Sequence, residues 1–353
     1  MKDFLKILFI QDLPTIHAYS IPIFFSLGRE LKPFGVEVAF SDYRRLAWLN
    51  NNGISFSKVY LDYKDNKINL NIISILTPLL YNNFFINTTY KLEEKNLEKY
   101  ILRNKIDIIF THKYFKPIIK IIKKYKIKLI LFSGDEYFSK EWFDFARESD
   151  IVFCASEYGF KIHKEKGIRS EILRFAVDDK IFKPLSKKGI LDFVFIGRNW
   201  RDRENKFSEM ILPLIQKYGK KVHLFGFGWE KFKDICCVHE PIFWYLQPLI
   251  YSCSKISLNV HRFSYIVNYR TFETLACKTF LLSDYTNELG KLFENKKDMV
   301  MAYDEKEIIE LAQYYLDNEE EREKIATRGY EKVIKNHTFK HRAKQVYDAI
   351  RLL

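Results

Sequence analysis

The sequence predicts an α/β chain built from two doubly wound parallel sheets. Three observations carry this. Short, nearly continuous apolar runs alternate with stretches of helical spacing along the chain, the pattern of strands buried on both faces and covered by helices. The alternation halts at a polar, proline-containing stretch, Phe182 to Gly189, and then restarts. A length of 353 residues suits two domains better than one.

The first half opens with Lys6 to Ile10 as a strand, a helical pattern over Ile21 to Leu31, and Gly35 to Phe40 as the next strand, a βαβ opening. Asp107 to Phe110 follows as a strand, then Lys116 to Tyr125 as a basic amphipathic helix and Lys128 to Phe132 as a strand. A helix around Glu141 to Arg147, a strand over Ile151 to Ala155 and a helix over Glu157 to Lys166 complete it. In the second half, Leu191 to Ile196, Lys221 to Phe225, Lys255 to Asn259 and Phe280 to Ser283 read as strands with helices between them. Two Rossmann-like domains facing across a cleft are the expected result, spanning 1–184 and 185–337. The end of the chain, Thr338 to Leu353, places Phe339, Ala343, Val346, Tyr347, Ile350 and Leu353 near one helical face.

The net charge of +13 favours anionic partners such as nucleotide phosphates, an acidic glycan or an anionic membrane surface. The excess is concentrated between Ile101 and Ile130, where Lys120, Lys123, Lys124 and Lys126 alternate with isoleucines. Burial of the isoleucines and solvation of the lysines accounts for that helix; a peripheral membrane surface is the second reading. Nucleic acid is disfavoured, because aromatic and basic residues do not interleave. The five cysteines are odd in number and lack C-x-x-C spacing, which argues against a disulfide framework or zinc site and for a reducing, cytoplasmic setting. Met1 to Ile10 is short and carries Asp3 and Lys6, so it reads as a strand and not a signal peptide.

Gly197-Arg198-Asn199-Trp200-Arg201 follows the first strand of the second half. Glycine at a strand end permits a tight turn, and Arg198 and Arg201 could clamp diphosphate oxygens; a solvated basic loop is the alternative. Gly226-Phe227-Gly228 lacks dinucleotide spacing and reads as a turn. The segment Asn268 to Tyr285 leads from a polar entry through a short helix to an apolar strand ending in Asp284. The helix N-terminus offers a phosphate site, Arg270 would add charge, and Glu273 is one turn inside, suited to ribose hydroxyls. The alternative is a plain helix capped by Thr271.

Asn268, Arg270 to Glu273, Asp284-Tyr285 and Leu289 to Phe293, with Val260-His261-Arg262 ahead of them and His337-Thr338-Phe339 downstream, resemble the C-terminal domain of CgeB-like, group-1 glycosyltransferases. The resemblance is specific from about Leu191 to Ala343 and looser before it. It implies a GT-B fold whose final helix, 338–353, crosses back to the first domain. It also implies a retaining, hexosyltransferase-like enzyme with a nucleoside-diphosphate sugar donor in the second domain, a glycan, protein or other hydroxyl acceptor, and no cofactor or metal. Gly197, Arg198, Arg201, His261, Arg262, Asn268, Arg270, Thr271 and Glu273 would hold the donor. Glu273 corresponds to the second glutamate of the E-x7-E element of related retaining enzymes, while Tyr265 stands where the first would fall. His261 or Arg262 would take part of that role.

In the first half, His112 closes a strand and resembles the histidine that touches the donor sugar in many such enzymes. Asp12 and His17, after the first strand, and Asp135, after the strand ending at Phe132, lie where open α/β sheets place ligands. Each could serve as general base toward an acceptor hydroxyl, and each could be an ordinary polar loop residue. Two other functions keep the same fold or ligand: a nucleotide-sugar 2-epimerase, and a non-catalytic binder of sugar nucleotides or glycans.

Overall fold

The computed structural model describes residues 5–11, 23–42, 45–47, 89–91, 94–112, 117–134, 138–185, 189–199, 204–242 and 244–353. The chain divides into two units, residues 1–155, 159–173 and 343–353 forming one, and 156–158 with 174–342 the other.

The first unit holds a six-stranded sheet made from β1 (Leu5–Gln11), β2 (Val36–Asp42), β5 (Ile108–Thr111), β6 (Lys128–Ser133), β7 (Ile151–Cys154) and β8 (Ser170–Ile172), in the order β2-β1-β5-β6-β7-β8. Every pairing in it is parallel. A separate antiparallel pair joins β3 (Arg45–Ala47) to β4 (Thr89–Lys91). Ile7 to Ile10 of β1 and Ile109 and Phe110 of β5 are fully buried, as apolar runs covered on both faces must be. The Pro117–Tyr125 helix buries Ile118, Ile121 and Ile122 against this core. Its lysines face outward, Lys123 pairing with Glu148 at 2.7 Å and Lys124 with Glu98 at 2.8 Å. Amphipathic packing and exposed ion pairs therefore account for the basic stripe. Within the same unit, Tyr347 of the Phe339–Ile350 helix stacks on Phe34, with ring centroids 4.8 Å apart.

The second unit's sheet comprises β9 (Leu191–Ile196), β10 (Val222–Phe225), β11 (Cys237–His239), β12 (Ser254–Asn259), β13 (Phe280–Asp284) and β14 (Val300–Ala302). Their order is β11-β10-β9-β12-β13-β14, again wholly parallel. Counted along the unit this is 3-2-1-4-5-6, the doubly wound Rossmann order, whose direction reverses between β9 and β12. The helices over Glu204–Met210, Leu212–Tyr218 and Glu305–Asp317 cover one face, burying Phe207, Leu214 and Ile308 against Phe193, Phe195 and Leu258. Among the described residues no helix is long and apolar enough to cross a membrane.

Candidate nucleotide-sugar site

In open α/β sheets, ligands bind beyond the carboxyl ends of the strands at the point of reversal. In the second unit that point lies past Ile196 of β9 and Asn259 of β12. Gly197 follows β9 directly, and its amide donates to Phe225 O at 2.9 Å. The Trp229 indole donates to Gly197 O at 2.7 Å. Two glycines make this close approach possible. A methyl group on Gly226, at φ +140°, would fall 2.1 Å from Gly197 O, and one on Gly228, at φ +82°, 2.9 Å from Asn199 Cβ. The Gly226–Gly228 turn expected from sequence is thus a wall of the β9 loop. Arg198 is exposed, its guanidinium over the Phe227 ring at 5.5 Å.

The Tyr269–Ala276 helix begins beside this loop. Its cap is Asn268 and not Thr271: the Asn268 side chain accepts from Thr271 N at 3.2 Å, while the Thr271 hydroxyl is buried and donates to Asn268 Oδ1 at 3.3 Å. Extended backbone at Asn268, with ψ 163°, lets its short amide reach back to the first turn. The same amide donates to Asn259 Oδ1 at 3.0 Å and Val260 O at 3.2 Å, tying the helix start to the end of β12.

Arg270 extends over the strand ends. Its Nη1 donates to Asn259 Oδ1 at 2.7 Å, and its guanidinium lies 4.5 Å from the Phe195 ring centre. A Cβ at Gly197 would come within 2.4 Å of Arg270 Nη2. The space left by that glycine is filled by the arginine. Glu273, one turn on, is buried at 5% exposure. Burial pushes its carboxyl up to about 8, with the Arg270 charge opposing the rise. A carboxyl held this way can donate a hydrogen bond when protonated and accept when ionised.

His261 is fully enclosed, its Nδ1 2.7 Å from Asp284 Oδ1 and its Nε2 3.5 Å from Thr271 Oγ1. Arg262 is exposed and stacks over Phe263 at 4.6 Å. Tyr265 lies between Phe263, at 5.3 Å, and Tyr158, at 4.6 Å. The loop after β12 therefore presents aromatic rings where the resemblance would place a glutamate.

Gly197, Asn268, Arg270, Thr271 and Glu273 are thus gathered by one strand end and one helix start, with His261 packed behind them. Asn259, Ser283 and Trp229 were not expected from the sequence, although Asn259 is the polar end of an apolar strand and Ser283 directly precedes the strand-ending Asp284. In the first unit, Thr111 of β5 is in register with Ile10 of β1, so His112 follows β5 where that sheet reverses its order. Asp12, His17, Asp135 and Arg201 lie outside the described residues. Among the described residues no group of three or more histidine, cysteine or acidic side chains is arranged to hold a metal ion.

The solved structure of sucrose-phosphate synthase from Thermosynechococcus elongatus is similar over 99% of this chain and 98% of its own, with a TM-score of 0.67 at 10% identity. The Anabaena protein HepE in complex with UDP-glucose gives the same TM-score and identity over 99% and 100% of the two chains. A glycosyltransferase from Rickettsia africae gives 0.65 at 11% identity over 98% of each. The chain has the GT-B fold. Residues 198–348 of this GT-B chain match the family described as glycosyl transferase-like. No curated protein is significantly similar to it in sequence.

Proposed function

We propose that the chain is a glycosyltransferase that moves a hexose from a nucleoside-diphosphate sugar to a hydroxyl acceptor. The donor would be held by residues 185–337 and the acceptor by residues 1–184 with 338–353. The observation that carries this reading is the convergence of Gly197, Asn268, Arg270 and the Tyr269–Ala276 helix start at the reversal point of the second sheet. The match of residues 198–348 to a glycosyl transferase-like family supports it, as does UDP-glucose in the HepE complex of the same fold.

Charge on the departing diphosphate is what the site must stabilise as the sugar acquires oxocarbenium character. Arg270, held against Phe195, and the positive end of the helix supply that stabilisation without a metal ion. Arg198 and Arg201 add charge at the β9 loop. Glu273 addresses the ribose hydroxyls. By the family resemblance, His112 would contact the donor sugar, and Asp12, His17 or Asp135 would take the acceptor proton. The stereochemical outcome is retention.

The test is turnover of UDP-, GDP-, ADP- and dTDP-sugars with glycan acceptors, analysed for products with and without acceptor. A transferase gives a new glycoside and free nucleoside diphosphate, in EDTA as well as without it. An altered sugar nucleotide from donor alone would make the protein an epimerase instead, and saturable binding with no turnover would make it a binder. Loss of turnover in EDTA with rescue by Mg²⁺ or Mn²⁺ would overturn the arginine account.

A further inference from the structure

Behind Arg270 lies a run of buried hydrogen bonds whose direction is fixed at one end. Asp284 closes β13 at 1% exposure. An ionised carboxylate can only accept. It accepts from His261 N at 3.1 Å, from His261 Nδ1 at 2.7 Å and from the Ser283 hydroxyl at 3.1 Å. With its proton committed to Asp284, Ser283 Oγ meets Asn259 as an acceptor, receiving Asn259 Nδ2 at 3.2 Å. The Thr271 hydroxyl receives the same Nδ2 at 3.2 Å. The amide of Asn259 is therefore turned one way, its nitrogen inward and its oxygen outward. That oxygen is the one Arg270 Nη1 binds at 2.7 Å. Asn259 and Ser283 are both fully buried, so bulk solvent does not compete at either link.

We infer that Asp284 is a positioning residue for Arg270, acting through Ser283 and Asn259. Its acceptor oxygen sets the polarity of the chain, and the polarity presents an acceptor and not a donor to the guanidinium. A reversed Asn259 amide would place an N–H against Arg270 and drive it from the Phe195 ring. His261 belongs to the same device: it braces Asp284 from the far side and does not touch the ligand. This rests on the reading of Arg270 as the diphosphate-binding group.

The experiment is a double-mutant cycle on the full chain, reading Kd for UDP and for uridine. Wild type binds UDP more tightly than uridine, and R270A removes most of that preference, about 10- to 150-fold. S283A, which removes the link from Asp284 to Asn259 without touching Arg270, lowers UDP affinity at least about threefold and leaves uridine affinity unchanged. D284N does the same. Each change combined with R270A adds little further loss of the UDP preference, because the relay reaches the diphosphate through that arginine, while its bonds to Asn268 and Thr271 hold the helix start. A structural role alone would lower the melting temperature and weaken both ligands together, with losses that add to R270A; that result overturns the inference. If wild type shows no preference for UDP, GDP or ADP over the matching nucleoside, the diphosphate reading falls, and this inference with it. If the preference exists and depends on Arg270 but S283A and D284N leave it intact, only the relay falls.

Discussion

Glu273 sits one turn inside the Tyr269–Ala276 helix with only 5% of its surface exposed. Spacing alone marks it as an acceptor for ribose hydroxyls. Its depth becomes visible only once Tyr251 and Cys277 are packed beside it, and burial then lifts the carboxyl to about 8. The folded carboxyl binds its proton more tightly than the unfolded one, so its contribution to stability is full below the ordinary carboxylate range and is lost as pH rises toward 8. E273Q, neutral at every pH, should therefore be more stable than wild type at pH 8 and equal to it near pH 4, by urea unfolding. The slope removed is at most about 1.4 kcal/mol per pH unit. The same variant should bind the donor more weakly above about pH 8, where wild type presents a carboxylate to the ribose and the amide cannot. A variant that is less stable than wild type at pH 8 would contradict the buried-carboxyl account. Asn268 and Thr271 make a related point. Both cap-forming residue types stand in the sequence, and only the backbone angles at Asn268 decide which one caps.

At the scale of elements, the long apolar runs were legible and the short strands were not. β9 falls where Leu191 to Ile196 predicts it, and β1, β5, β6, β7, β12 and β13 lie within a residue or two of expectation. The three-residue strands β8 and β11 are half exposed edges, and their sequences carry no run that periodicity could find. β14 is buried but equally short. The glycine turn after β10 was legible as a turn, not as a wall, because the backbone it faces comes from 29 residues earlier, as the Asn199–Gly228 bond shows. G226A should cost about 1–3 kcal/mol in unfolding free energy, since the methyl meets backbone and the φ is unsuited to alanine. G228A should cost less, meeting only the Asn199 side chain most closely. Equal, negligible losses would show that the two loops can part. The Phe339–Ile350 helix allows a second test. Removing the residues after Thr338 takes Tyr347 from Phe34 and the buried Ala343 and Val346 from the first unit's core. Faster amide exchange over residues 32–36 and a loss of several kcal/mol are expected, at about 25 cal/mol per Å² of apolar surface. Unchanged exchange there would count against that packing.

For the molecule as a whole, buried histidines of the second unit should contribute to acid sensitivity. Burial holds His239 down at about 4, with His223 beside it adding to the depression. Burial, and then the Arg342 and Arg174 charges, hold His337 down at about 3. Both stay neutral in the folded chain while their unfolded counterparts protonate below about 6.5. The unfolded state then binds more protons, so stability falls as pH drops from about 6.5 toward 4 and is untouched by these groups above that range. Urea midpoints at pH 7, 5.5 and 4.5 should show the decline, and H239F should make it shallower; an unaltered slope in that variant would refute the assignment. None of this was legible in sequence, because the burial of His239 and His337 comes from residues distant in the chain. The two-part organisation was legible, because the alternation of strand and helix restarts at Leu191.

The passage of the chain between the units is a different matter. Residues 343–353 complete the first unit, yet they follow the whole of 174–342 in the sequence. A ribosome emits the second unit's sheet in full before it emits the helix that stacks on Phe34. At ~5–20 residues per second, the earlier-made part of the first unit waits on the order of ten seconds or more for its last piece. The half synthesised first is thus the half finished last. Until then Phe34 lacks the Tyr347 ring it stacks on, while all six strands of the second unit's described sheet are already made.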